Sequence, residues 1–186
     1  MNQNRSAKVA IARLAAEIVP DGASVAIDTG STSGFIAQAL RTRQKLTVVT
    51  NSAFVASTLA IIPGNRVSMA GTQLRDHDGA AFDRSAFDVI ERMQVDFVIL
   101  SASMVDAEKG FLVHEQCEVD MANAMLKNAA QAIMSVDQSK FLPQSHRPAL
   151  RQPVLRSSDI LITDAPPPAD FDALLRDLDL RIAGGG

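Results

Sequence analysis

The stretch Asp28-Thr29-Gly30-Ser31-Thr32 puts a carboxylate, hydroxyls and a glycine side by side. The apolar run Val25-Ala26-Ile27 before it reads as a strand covered on both faces. Phe35, Ile36, Ala39 and Leu40 after it fall at helical spacing, so a helix begins near Thr32. The first amides of such a helix lack intrahelical partners and carry the positive end of its dipole, a seat for phosphate or carboxylate. The same residues also suit an ordinary strand-to-helix turn capped by a hydroxyl. Asp28 would repel a phosphate but accept hydrogen bonds from sugar hydroxyls, a division of labour that suits a phosphorylated sugar. Gly30 and Gly34 do not make the three-glycine dinucleotide fingerprint, and the Gly-Lys-Ser/Thr of a nucleotide P-loop is missing.

Other reactive types are scattered. Lys140 is either a second charge on a phosphate or a solvated lysine. Glu118 and Asp120 open an expected helix, where carboxylates favour the dipole without any further role. His114 is a lone loop histidine, and Cys117 reads as a small core residue rather than a nucleophile. Asp76-His77-Asp78 could approach a metal, but three adjacent residues rarely converge on one ion, and no further ligands stand at suitable spacing. No metal and no cofactor is expected.

The elements that would position these residues alternate. Helices are expected over Ser6–Val19, Ala53–Ile61, Ser85–Met93, Cys117–Ala130 and Phe171–Leu178. Strands are expected over 25–27, 46–50, 66–70, 95–100, 132–136, 159–163 and 179–183, with 138–152 polar and irregular. This pattern calls for an α/β fold with a mostly parallel, Rossmann-like sheet and helices on both faces. Polar residues stand just after the strands, at Asp28, Thr50-Asn51, Gly71, Ser101-Ala102-Ser103, Asp137 and Asp164. In open parallel sheets that edge is where ligands bind, although polar residues must end strands in any case.

Composition narrows the classes. The chain of 186 residues, 47% hydrophobic and 21% charged, suits one domain with a substantial core. A net charge of −3 argues against a stand-alone nucleic-acid binder. A single cysteine excludes an intrachain disulfide. No apolar run approaches a membrane span and no signal peptide is evident, so a cytoplasmic setting is expected.

Taken in order, the motifs resemble the C-terminal effector-sensing domain of DeoR-type bacterial transcriptional regulators. The resemblance rests on Asp28-Thr29-Gly30-Ser31-Thr32, Val49-Thr50-Asn51, Ala70-Gly71-Thr72-Gln73-Leu74-Arg75, Asp137-Gln138-Ser139-Lys140-Phe141 and Thr163-Asp164, and covers roughly residues 6–183. It implies a fold similar to ribose-5-phosphate isomerase and CoA-transferases, and a phosphorylated sugar or similar metabolite as effector. Carried over, Asp28, Thr29, Gly30, Ser31 and Thr32 would cradle phosphate and sugar. Thr50 and Asn51 would line the pocket floor, Gly71 would let the ligand approach the backbone, Lys140 would add charge and Glu118 would accept a hydroxyl.

The chain departs from the family where a glycine-rich turn is usual: it has Ser101-Ala102-Ser103-Met104-Val105, with Met104 expected to narrow the pocket. Leu112-Val113-His114-Glu115 likewise replaces a hydroxyl-bearing segment. The expected organisation is a linker helix over 1–19, a sensing domain over 20–183 and a disordered tail over 184–186. The family's DNA-binding helix-turn-helix is not in this chain, so contact with DNA would pass through a separate N-terminal domain, and a homo-oligomer is expected. A sensor without catalysis is the leading reading. A sugar-phosphate isomerase lacks its acidic cluster here, and an oligomerisation module with a vestigial pocket is the third reading.

Overall fold

Short apolar strands separated by helices form a seven-stranded sheet in which every neighbouring pair is parallel. The protein is described over residues 4–184 by a computed structural model. Residues 1–3 and 185–186, part of the expected polar start and glycine tail, lie outside the described residues. The first half runs α1 (Arg5–Ile18), β1 (Ser24–Ile27), α2 (Ser31–Ala39), β2 (Thr47–Thr50), α3 (Ala53–Ala60) and β3 (Arg66–Met69). The second half continues through α4 (Arg84–Ile90), β4 (Val95–Ser101), β5 (Met104–Asp106), β6 (Gly110–Val113), α5 (Gln116–Lys127) and β7 (Ala129–Ser135). It ends with β8 (Leu150–Arg151), β9 (Ile160–Thr163), α6 (Asp172–Leu175) and β10 (Asp179–Ile182).

The strand order is β10-β9-β7-β4-β1-β2-β3. From β1 the chain builds outward through β2 and β3, then returns to lay β4 on the other side of β1. That reversal opens a crevice at the carboxyl ends of β1 and β4, the place where open α/β sheets bind ligands. Side chains alternate across each strand, so both faces are apolar. Val25, Ile27, Val48, Ile99, Ile133 and Ile162 bury one face under α1, α2 and α3. Ala26, Val49, Val98, Leu100, Met134 and Leu161 face the other layer, which includes Ile90 of α4, Met121 and Met125 of α5 and Leu175 of α6. The helix expected at 6–19 is packed into the same core as the residues that follow it, through Ile11, Ala12 and Ala15.

The α/β class, the parallel sheet and the seven strands agree with the sequence reading. The small antiparallel sheet β5-β6-β8 was not expected. The turn read at 106–110 is the reversal of its hairpin, with Gly110 at φ +82. The stretch 138–152, read as irregular, supplies its third strand and is pinned across the hairpin by Gln144 to the Ser103 carbonyl and Arg147 to Asp106. The helix expected to reach Ala130 stops at Lys127, and the strand expected from 132 starts at Ala129, because Asn128 ends the helix and the Ala129-Ala130 pair after it suits either element. The helix expected over 171–178 is only the four residues of α6, preceded by a 3-10 turn.

Candidate functional site

The crevice between β1 and β4 is organised by Asp28, the residue after β1. Its backbone amide donates to the Ile99 carbonyl at 3.1 Å, and its carboxylate accepts from the Ser101 amide at 2.8 Å. The Ser101 hydroxyl donates to it at 3.2 Å and Ser33 of α2 donates a further hydrogen bond. The serine that replaces the family's usual glycine is therefore a support for Asp28. Gly30 makes room for it: at φ +149, an added Cβ would stand 2.6 Å from the Ser101 hydroxyl. Gly30 is also the N-cap of α2, which has no side-chain cap. The expected capping hydroxyl is absent there, whereas α3 is capped by Ser52, α4 by Asp83 and α5 by a Glu115/Glu118 capping box.

A cavity of about 160 Å³ opens over this crevice. Of the ten residues expected at the site, Asp28, Thr29, Gly30, Ser31, Thr32, Asn51, Glu118 and Lys140 line it. Thr50 and Gly71 do not. Thr50 is fully buried, and its hydroxyl accepts from the Ser52 amide at 3.1 Å. Gly71, at φ +98, lies so close to the returning chain that an added Cβ would stand 2.3 Å from the Ala81 Cβ. Its lack of a side chain makes room for Ala81, Asp83 and Ala86 of the returning chain. Met104, expected to narrow the pocket, is buried in β5 outside the lining; the apolar wall comes from Phe82, Val113 and Met121. Arg75 lies with its guanidinium 4.3 Å from the Phe82 ring centroid. It ties the 72–83 segment to the start of α5 by pairing with Asp78 and, at 3.0 Å, with Glu115.

Three charged residue types line the cavity, at Asp28, Glu118 and Lys140. Burial pushes the Asp28 carboxyl up to about 7, against the hydrogen bonds from Ser33 and Ser101; nearby Glu118 adds to the rise. Asp28 is half-buried and keeps some surface on the cavity. Glu118 is committed to its helix: its Oε2 accepts from the amides of His114 and Glu115 at 3.2 and 3.1 Å. Lys140 sits in the 3-10 turn 138–141, whose N-cap Asp137 also accepts a hydrogen bond from Asn4 at 2.9 Å. Asn4 donates to Ser139 as well, at 2.9 Å, so the start of α1 is fastened to the turn that carries Lys140. Lys8 of α1 is 5% exposed, and burial lowers its pKa against the pull of Asp137. Burial pushes the Cys117 thiol up, with Glu115 beside it, as suits an unreactive thiol.

Sequence reasoning missed Ser33, Phe82, Gln152 and Lys8. Lys8 was legible, since it stands on the buried stripe of α1 with Ile11, Ala12 and Ala15. Gln152 was not, because its place depends on a long-range hydrogen bond from its amide nitrogen to the Ser101 carbonyl at 2.7 Å. No cluster of metal-ligating side chains occurs among the described residues, and Asp76 and His77 are exposed at the rim of a neighbouring depression. A larger depression, of about 720 Å³, lies at the opposite end of the sheet. Its carboxylates serve the fold, Asp96 accepting from Ser24 and Asp159 from Ala132 and Arg156.

The chain belongs to the family described as the DeoR C terminal sensor domain, whose model matches residues 3–165. It is 33% identical over 175 residues to the glycerol-3-phosphate regulon repressor of Escherichia coli, covering 94% of this chain and 68% of that protein. It is 26% identical to the HTH-type transcriptional repressor CsqR of the same organism, over 94% of this chain and 66% of that one. Among solved structures, ribose 5-phosphate isomerase A of Methanocaldococcus jannaschii matches with a TM-score of 0.53 at 18% identity, over 74% of this chain and 55% of that one. That likeness shows the fold. The named relatives are repressors, and the chain is a regulatory sensor domain rather than an enzyme. No helix among the described residues is long and apolar enough to cross a membrane.

Proposed function

We propose that this domain senses a small phosphorylated polyol. The carrying observation is the mixed polar lining of its cavity. Thr29, Gly30, Ser31 and Thr32 stand at an uncapped helix start and line it together with Lys140, and Asp28, Asn51 and Glu118 line it as well. Amides, hydroxyls and an ammonium suit a phosphate, and side-chain oxygens suit hydroxyls. At about 160 Å³ the cavity falls below the ~300–1,000 Å³ usual for drug-sized ligands, which favours a chain of three or four carbons. The Escherichia coli relative is named for the glycerol-3-phosphate regulon, which makes glycerol 3-phosphate the first compound to test.

Occupancy would act on DNA through a helix-turn-helix module outside these residues, in a cytoplasmic homo-oligomer. The link would be the fastening of Asn4 to Asp137 and Ser139, beside Lys140. A ligand that favours one setting of that turn shifts the population of α1 positions, and only to the extent of its differential affinity. Unfolding with glycerol 3-phosphate, erythritol 4-phosphate, glycerol or inorganic phosphate tests the reading. A phosphorylated polyol at a hundred times its Kd adds ~2.7 kcal/mol to stability. No gain from either phosphorylated polyol would overturn it.

A further inference from the structure

Two buried side-chain amides at the cavity have an oxygen with no hydrogen-bond partner. Asn51, fully buried after β2, directs its Nδ2 to the Ala81 carbonyl at 3.1 Å, and its Oδ1 accepts nothing. Gln152, 8% exposed after β8, directs its Nε2 to the Ser101 carbonyl at 2.7 Å, and its Oε1 accepts nothing. Both line the cavity. A carbonyl can only accept, so each bond fixes its amide: the nitrogen faces the backbone and the oxygen is the end left over. The backbone amide of Gln152 is itself tied to the Phe111 carbonyl at 2.9 Å, and the Asn51 carbonyl accepts from the Ala81 amide at 2.8 Å, so the backbone of both residues is held in place. The carboxylates nearby already accept donors of the protein, Asp28 from Ser33 and Ser101 and Glu118 from two amides.

We infer that Asn51 and Gln152 make the site selective for hydroxyl groups, so that it reads the oxidation level of its ligand. This rests on the reading of the cavity as a phosphorylated-polyol site. A buried acceptor without a donor is costly, and a ligand O–H removes that cost. A ligand carbonyl in the same place sets acceptor against acceptor. An ammonium would also donate, but beside Phe82, Val113 and Met121 it would lose its hydration. Sites that hydrogen-bond a hydroxyl discriminate strongly against analogues lacking it.

Glycerol 3-phosphate and dihydroxyacetone phosphate share length and phosphate and differ by one hydroxyl against one carbonyl, so titration calorimetry with both is the test. The expected result is a Kd for the alcohol lower by at least about tenfold, the scale of one unmatched buried acceptor. In Gln152→Met, which keeps length and removes the acceptor, that ratio falls severalfold; the variant also loses the bond to the Ser101 carbonyl, so its melting temperature falls by a few degrees while inorganic phosphate still binds as it does to the parent. Asn51→Leu, close in shape and without an acceptor, is the second variant, read the same way. Equal affinity for the two compounds overturns the inference and leaves the phosphorylated-polyol reading standing. A preference that survives both substitutions overturns the assignment to these residues. Binding of neither compound overturns the inference, and with erythritol 4-phosphate silent as well it overturns the phosphorylated-polyol reading too.

Discussion

The two ends of the large sheet carry similar polar residues and treat them differently. At the amino ends of the strands, Asp96 accepts from the amide and hydroxyl of Ser24 at 2.7 and 2.8 Å. Asp159 accepts from the amides of Ala132 and Arg156 at 2.8 and 2.7 Å. At the carboxyl ends, Asn51, Ser135, Asp137 and Thr163, with Gln152 of the small sheet held against Ser101, all carry a buried side-chain atom without a hydrogen-bond partner, and these five are all such side chains among the described residues. Polar residues terminate strands at both ends, so their presence says little. What separates a structural end from a binding end is whether the chain's own groups satisfy them. The sizes of the two depressions point the other way, which shows that volume alone is a poor guide.

Substitutions at the two ends should therefore have opposite signatures. The largest effect is expected for Asp159→Ala. It removes a 3% exposed carboxylate that holds two backbone amides and pairs with Arg156, and it should cost about 3 kcal/mol in urea unfolding without changing ligand affinity. A loss of ligand affinity with little loss of stability would break the comparison. Lys140→Ala should do the reverse: affinity for a phosphorylated ligand falls about tenfold or more, with a melting temperature within a degree or two of the parent.

The smallest effect, and the one that sharpens the contrast, concerns pH. Asp28 is raised from 3.8 to about 7, so the folded state holds its proton more tightly than the unfolded chain. Its contribution is complete below about 4 and is lost as pH rises through about 7. Asp96 has the opposite sign, because the hydrogen bonds from Ser24 lower its pKa; its contribution is present above the unfolded value and is lost as pH falls. Asp28→Asn should narrow the difference in melting temperature between pH 5 and pH 8 by gaining stability at pH 8. An unchanged difference would remove Asp28 as its source.

The parallel sheet was legible because β1, β2, β4, β7 and β9 are nearly unbroken apolar runs, as strands covered on both faces must be. The strand-to-helix turn after β1 was legible from its glycine and hydroxyls, but residue types alone left open a plain capped turn; the structure leaves α2 without a side-chain cap and lines the cavity with these residues. The hairpin β5-β6 was not. Met104-Val105 and Phe111-Leu112-Val113 are too short for a period to emerge, and its outer partner β8 is two residues far along the chain. Gln152 depends on that hairpin and was hidden with it. Gly71 stands outside the cavity lining for a related reason: a positive φ was foreseeable, but what fills the space beside it depends on Ala81 and Ala86.

The position of β1 between β2 and β4 has a kinetic corollary. Pairing β1 with β2 closes a short segment, Val25 meeting Val48, while pairing β1 with β4 closes a much longer one, Val25 meeting Phe97. The longer closure is entropically costlier and favours late formation. Asp28 meets Ser101 only across that later pairing, so a half-folded chain with β1, β2 and β3 in place would still lack the cavity. A ligand should then slow unfolding and leave the refolding rate almost unchanged, a division that stopped-flow measurements with and without glycerol 3-phosphate would read. Recognition in this domain would act as a lock on the finished fold, not as a template for making it.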